Sequence, residues 1–231
     1  MIIVFNYFFL TVFLLFQNQN NISFHLESRT LANQKVVVIK ADIYFKIDEN
    51  KMITHYVYPI EYITITNNKG EAHIYDPKKN AVLIKRGLFY STENDNINLF
   101  LRGRYSDLGL KDMNYKMISS KHDQGYIVTE WIPQKKTSEE SNDKIQLAHD
   151  NDLPIYMAIY SNDKLIRKIY YSGYAPYGNY YLPNRITEIS YVKNDSVIMK
   201  KEYSEFKLGY QANSPFFNFK IPTDAKIIQE K

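Results

Sequence analysis

The side chains that could bind a metal or act on a substrate are few and scattered along the 231 residues of the sequence. There is no cysteine, which excludes disulfides, thiolate metal sites, cysteine nucleophiles and a lipid-modified N-terminal cysteine. No glycine-rich phosphate loop and no G-x-S-x-G nucleophile elbow is present. The spacing of the five histidines matches no metal motif, so we expect no metal and no cofactor; they are His25, His55, His73, His122 and His149.

The carboxylates give no paired acid–base pattern either. Glu130 lies beside Trp131, a combination that would suit sugar chemistry. Adjacent residues of a strand point to opposite faces, so the two are not expected to act together. The sequence therefore predicts a non-enzymatic protein, and the alternative is a hydrolase with its site within residues 96–132.

Charge and aromatic content narrow the function classes further. The formal net charge is +4, with lysines and acids interspersed, which does not give the coherent basic face that nucleic-acid binding needs. The chain has 21 tyrosines and 13 phenylalanines but one tryptophan. Aromatic and β-branched enrichment favours strands, so a β protein without a nucleic-acid partner is expected.

Residues 2–16 form an almost unbroken apolar run. It is shorter than the roughly 20 residues of a membrane-spanning helix and suits the apolar region of a signal peptide. No lysine or arginine precedes Arg29, and no clear small-x-small cleavage site follows the run. Residues 1–20 are therefore interpreted as a signal peptide or an N-terminal anchor.

Beyond this leader, alternating runs are separated by turn residues, the pattern of an antiparallel sheet. We predict one domain over residues 22–228, with one or two short helices within 96–118 and an exposed polar loop at 134–152. The predicted strands are 22–29, 36–47, 52–58, 60–66, 71–75, 81–86, 125–132, 154–161, 164–172, 180–192, 196–208 and 216–221.

Large apolar residues occupy both faces of the strands within residues 56–65. A sheet that is apolar on both faces is covered twice or lines a cavity. Two interpretations follow: a second layer packed on one face, or a hydrophobic pocket for an acyl chain or a similar ligand.

Two regions carry a family resemblance that covers roughly residues 22–228. An aromatic strand ending in proline is followed by a strand, a glycine-containing turn and a Tyr-Asp-Pro ending, in residues 51–59 (KMITHYVYP), 60–66, 67–70 and 73–77 (HIYDP). The end of the chain adds residues 182–186 and 216–222 (FFNFKIP). These segments resemble the periplasmic outer-membrane lipoprotein carriers of the LolA-like, or LolA–LolB, superfamily.

The resemblance implies a mainly β (α+β) fold: a curled antiparallel sheet that forms an incomplete β-barrel covered by short helices. It also implies a periplasmic, monomeric carrier whose concave apolar face holds lipoprotein acyl chains or another lipid. Its partners would be an acylated lipoprotein or lipid, with transport components of the inner and outer membranes. If the leader is retained as an inner-membrane anchor, the alternative is a tethered envelope sensing or interaction module.

The lipid-facing positions implied by the resemblance are Met52, Thr54, Tyr56, Tyr62 and Thr64. The alternative register places Ile53, Val57, Ile63 and Ile65 on the lipid side. A one-residue shift exchanges the two sets, because side chains alternate between faces along a strand.

Overall fold

The computed structural model describes residues 20–87, 90–135, 143–192 and 195–228. Its fourteen strands are β1 Asn21–Ala32, β2 Lys35–Lys46, β3 Lys51–Tyr58, β4 Tyr62–Thr66, β5 Glu71–Asp76, β6 Ala81–Arg86, β7 Tyr115–Asp123, β8 Tyr126–Pro133, β9 Lys144–Asp150, β10 Leu153–Ser161, β11 Lys164–Tyr177, β12 Tyr180–Val192, β13 Asp195–Leu208 and β14 Lys226–Ile228. One α-helix, α1 (Asn96–Leu101), and three 3₁₀ segments, Thr92–Asn94, Gly209–Ala212 and Pro215–Asn218, complete the described elements.

The strands form one sheet in the order β14-β6-β5-β4-β3-β2-β1-β13-β12-β11-β10-β9-β8-β7. From β2 to β6 and from β7 to β13, each strand pairs antiparallel with the next one in sequence, and β14 pairs parallel with β6. The edge strands β7 and β14 are not neighbours, so the sheet does not close. The predicted mainly β fold with an open antiparallel sheet is confirmed.

Short turns set the pairing of neighbouring strands. Asn162 and Asp163 form a two-residue connection between β10 and β11, and both have positive φ, 49° and 57°. Such backbone angles match the right-handed twist of a hairpin, and Asn and Asp tolerate them better than most residues. This turn was predicted from the sequence.

The described residues group into two compact units. The first contains residues up to 26, 39–95 and 204 onward, and the second contains 27–38 and 96–203. Strands β1, β2 and β13 contribute residues to both units. The single domain over 22–228 stays a prediction, and the leader predicted at 1–20 lies almost wholly outside the described residues.

In the first unit, one face of β3–β6 is sealed by the end of the chain. Its core contains Ile53, Ile63, Tyr75 and Val82. Phe216, Phe219 and Ile221, from the segment after β13, pack against this core. The ring of Phe216 stacks on Tyr44, with centroids 5.0 Å apart, and on His55, at 4.6 Å.

In the second unit, the buried face of the sheet packs with residues that follow α1. Phe100, which is fully buried, meets the ring edges of Tyr171 and Tyr174. His149 donates a hydrogen bond from its Nε2 to the carbonyl oxygen of Tyr105, 2.9 Å away. Further buried side chains are Leu108, Leu110, Trp131, Leu147, Met157, Ile169, Leu182 and Ile186.

Two sequence predictions are wrong. The polar loop predicted at 134–152 contains strand β9, in which Ile145, Leu147 and His149 are buried alternately; residues 136–142 lie outside the described part. The strand predicted at 216–221 is instead a 3₁₀ segment, Pro215–Asn218, followed by non-ladder backbone. Ser214 caps it by accepting a hydrogen bond at Oγ from the N–H of Phe216.

Within 96–118, the short helix predicted from sequence exists only as α1. Residues 115–118 begin strand β7. Among the described residues, no helix has the length and apolar character needed to cross a membrane.

The sealing segment yields a stability prediction. Phe217 is 2% exposed and its ring meets Tyr44 edge-on at 5.5 Å. Phe217→Ala should lower the free energy of unfolding by about 3–5 kcal/mol, through lost burial and a residual cavity. Urea unfolding checks this. Tyr210→Ala, at a nearby residue that is 79% exposed, is the control and should change the value by less than about 0.5 kcal/mol. Equal effects of the two substitutions would contradict the packing described.

Candidate functional site

The five residues implied by the resemblance share one side of β3 and β4. The ladder places Tyr56 opposite Tyr62 and Thr54 opposite Thr64. Directly opposed residues of an antiparallel pair point to the same face. Met52 lies on the same side, two residues before Thr54. We call this side of β2–β6 the hydroxyl-lined face.

Neighbouring strands extend the face with aliphatic side chains. On β2, Ile43 and Phe45 are opposite Thr54 and Met52, and Ala41 is opposite Tyr56. On β5 and β6, Ile74 lies opposite Thr64 and Leu83 opposite Ile74. The hydroxyl-lined face therefore spans five strands. Sequence reasoning missed its β2 residues, although the spacing of Ala41, Ile43 and Phe45 at every second position was a signal for them.

The alternative set lies on the opposite side. Ile53 and Ile63 belong to the core that the C-terminal aromatic residues seal, and Ile65 packs against it. Val57, near the end of β3, is 43% exposed. This side is occupied by the chain's own side chains, which leaves the hydroxyl-lined face as the candidate site. That Met52, Thr54, Tyr56, Tyr62 and Thr64 contact lipid stays a prediction.

Tyr56 and Tyr62 form the aromatic end of the face. Their rings stack with centroids 4.0 Å apart and an angle of 12° between the planes. Burial raises the pKa of Tyr56 well above its usual range, and the neighbouring Tyr62 and the charge of Asp95 add to the rise. Burial also raises the pKa of Tyr62. Both phenols are therefore neutral at physiological pH, and the face offers ring surface and hydroxyl groups without charge.

A short segment, Ser91 to Asp95, is bonded to the turns beside this face, and we call it the covering segment. At one end, Thr92 donates from Oγ1 to the carbonyl oxygen of Asn50 at 3.1 Å, and its N–H donates to Asn67 at 3.1 Å. Ser91 donates from Oγ to the carbonyl oxygen of Asn68. These acceptors lie in the turns beside Met52 and Thr66, whereas Asp95 is close enough to Tyr56 to act on its pKa.

Much of the face is buried. Phe45 is fully buried, and Met52 and Thr54 are only 7% and 6% exposed. Two cavities among the described residues lie elsewhere, have volumes of about 220 and 370 Å³ and are lined mainly by polar side chains. The first is lined by Ser23, Phe24, His25, Asp42, Tyr44, Glu205, Lys207, Asn213 and Ser214.

The remaining chemical candidates do not assemble a catalytic or metal site. His55 and His73 lie on β3 and β5, separated by β4 as predicted, and His55 is 3.1 Å from Glu61. Glu130 accepts hydrogen bonds from Gln146 and Ser119, while Trp131 is buried on the other face. Within the part of the chain that the structure describes, no group of three or more acidic or histidine side chains could hold a metal ion.

Comparisons with known proteins find likeness in structure but not in sequence. No protein-family model and no curated protein matches the chain. A putative outer membrane lipoprotein-sorting protein domain from Vibrio parahaemolyticus has a TM-score of 0.57 and 14% identity, covering 87% of this chain and 91% of that one. A LolA superfamily protein from Nitrosomonas europaea has a TM-score of 0.55 and 14% identity, covering 82% and 86%.

A third solved structure, a DUF1329 family protein from Desulfovibrio piger, has a TM-score of 0.54 and 13% identity, covering 87% of this chain and 90% of that one. The class that these likenesses define is that of proteins with an open, curled antiparallel sheet. The chain has the fold of LolA superfamily proteins, and the resemblance predicted from residues 51–77 and 182–222 is confirmed at the level of fold.

The anchoring of the covering segment can be tested. Thr92→Val keeps the size of the side chain and removes its hydrogen bond to Asn50, which is worth about 1 kcal/mol. Amide hydrogen exchange within residues 90–95 should accelerate roughly fivefold, whereas exchange in β5 should not change. Thr30→Val, in β1, is the matched control. Unchanged protection of the segment would show that its position does not depend on this bond.

Proposed function

We propose that the protein is a non-enzymatic carrier in the periplasm that binds acyl chains of a lipoprotein, or of another lipid, on the hydroxyl-lined face and helps move it to the outer membrane. The observation that carries the proposal is the different covering of the two faces of β3–β6. One face is packed with Phe216, Phe219 and Ile221, whereas the segment beside the other, Ser91 to Asp95, is joined to the neighbouring turns by hydrogen bonds. The lipoprotein-sorting fold of the solved structures supports the same assignment.

An acyl chain bound in place of the segment would compensate for its hydrogen bonds to the turns after β2 and β4. Ser91 and Thr92 make three such bonds. Each contributes about 1 kcal/mol. Burying an acyl chain contributes about 0.8 kcal/mol for each methylene. Roughly four buried methylenes therefore offset the three bonds, and a typical chain offers several times that number.

The uncharged character of the face fits this ligand. Tyr56 and Tyr62 are neutral, and their rings with Met52, Ile43 and Ile74 provide apolar contact area. Threonine hydroxyls at positions 54 and 64 can bond with each other or with Tyr56 when water is excluded. Acyl shielding of this kind needs no covalent chemistry, cofactor or metal.

Binding of an acyl probe tests the proposal. We expect the purified protein to bind a fluorescent fatty acid and an acylated peptide competitively. Thr64→Asp should weaken both at least tenfold, because it places a charge on the face that the acyl chain would desolvate. Thr64→Val, which is nearly the same size, should bind at least as well as the unaltered protein. The proposal fails if the unaltered protein binds neither probe, or if the Asp and Val variants, both folded by circular dichroism, bind equally.

A further inference from the structure

The second unit has an exposed face that is built from tyrosines and lysines. The ladders place Tyr156 opposite Tyr170, Lys144 near Tyr160, and Lys168 opposite Ala158, which lies between the two β10 tyrosines. Tyr191 is two residues beyond Ile189, the β12 partner of Lys168. We call this the tyrosine–lysine face, defined by Lys144, Tyr156, Tyr160, Lys168, Tyr170 and Tyr191.

These side chains contact one another. The rings of Tyr156 and Tyr170 have centroids 5.1 Å apart. The Nζ of Lys144 lies 4.7 Å from the ring centroid of Tyr160, and the Nζ of Lys168 lies 5.8 Å from that of Tyr191. A hydrogen bond with Tyr191 raises the pKa of Lys168. Both ammonium groups therefore lie over aromatic rings, and Tyr170 and Tyr191 are still 40% and 39% exposed.

The balance of charge on the face is positive. Among the described residues, no carboxylate lies within 4.0 Å of the ammonium group of Lys168 or Lys200, the next exposed lysine on β13. The acids on this side of the sheet include Glu202, two residues from Lys200 on β13, and Glu130, which already accepts hydrogen bonds from Ser119 and Gln146 and is near Lys144. Asp150 is the last residue of β9, and Asp163 lies in the turn between β10 and β11, at the rim of the face.

The face extends across β9 to β12 as an array of side chains on neighbouring strands. Neither of the two cavities described above is lined by it. It therefore suits an extended partner rather than an enclosed small molecule. Tyrosine and lysine are the side chains that favour the lipid–water interface, where the ring meets the lipid and the polar end stays in water. Each lysine near an anionic leaflet raises the affinity for the membrane about fivefold.

We propose that the tyrosine–lysine face docks on the surface of an anionic lipid bilayer. Charge complementarity selects anionic lipids, and the interfacial tyrosines select a bilayer over a soluble polyanion. The apolar run at residues 2–16 predicts passage to or through a membrane, which brings such a surface within reach. The inference is independent of acyl binding, because it uses neither the hydroxyl-lined face nor the first unit.

Vesicle binding of the full chain tests the inference. The partition coefficient is measured on vesicles of phosphatidylcholine alone and on vesicles that also contain phosphatidylglycerol. The apolar run 2–16 contributes to both coefficients. Their ratio therefore measures the contribution of the tyrosine–lysine face to binding of anionic lipid. We expect a ratio well above one that falls at high salt. Lys168→Ala and Lys200→Ala should each lower the ratio roughly fivefold. Tyr170→Ser should weaken binding to the anionic vesicles with little change in salt dependence.

The control is Lys78→Ala, at an exposed lysine in the turn between β5 and β6, which should leave the ratio unchanged. Thermal unfolding shows whether each variant is folded. If Lys168→Ala does not fold, Lys200→Ala, at an exposed position, still tests the proposal. A ratio near one, an equal loss in the Lys78 variant, or full displacement by soluble inositol hexakisphosphate would overturn the proposal. The fatty-acid probe measures the carrier function separately, so either proposal can fail alone.

Discussion

The stacking of Phe216 on Tyr44 and His55 determines which side of the sheet in the first unit is closed by aromatic rings from the segment after β13. Side chains on β3–β6 alternate between two faces, and both are apolar. The aromatic residues after β13 pack on one of them. The other, the hydroxyl-lined face, lies beside the segment Ser91 to Asp95, which hydrogen bonds join to the neighbouring turns.

The same alternation explains how one sheet carries two different surfaces. In the first unit the sides are a sealed core and the hydroxyl-lined face. In the second unit the buried side meets Phe100, Leu108 and Leu110, while the other side is the tyrosine–lysine face. Tyrosine is abundant because it suits both situations: it fills a core when its hydroxyl finds a partner, and it tolerates water when its ring is half covered.

Much of the fold was predictable from the sequence, because period-two patterns and turn residues mark antiparallel strands locally. Eleven of the twelve predicted strands coincide broadly with observed ones, and residues 51–77 carried the fold resemblance. Strand β9 was missed because only Ile145, Leu147 and His149 show its period-two pattern. The surrounding segment is charged and polar, which favoured a loop. The segment after Ser214 was misassigned because closely spaced phenylalanines give the same sequence pattern whether they pack on a sheet face or belong to a strand.

The register of β3 against β4 could not be fixed from sequence, because both sets of side chains are apolar and a shift of one residue exchanges them. Only the position of Phe216 and Phe219, more than 150 residues away in the chain, distinguishes the two faces. The position of the covering segment could not be predicted either. Ser91 and Thr92 donate hydrogen bonds to backbone carbonyls at positions 50, 67 and 68, and such contacts do not depend on the side chains there.

The discontinuous make-up of the first unit has a kinetic consequence. Its β-strands between residues 39 and 87 emerge early in synthesis, but the aromatic residues that seal their core and the strand β14 that pairs with β6 come from residues 204–228. Contacts so distant in sequence form slowly, because a long loop must close first. The early strands therefore keep an apolar face uncovered until residues 204–228 have been made. A chain in that state is not yet fully folded, so it can still pass through a membrane channel as an extended polypeptide.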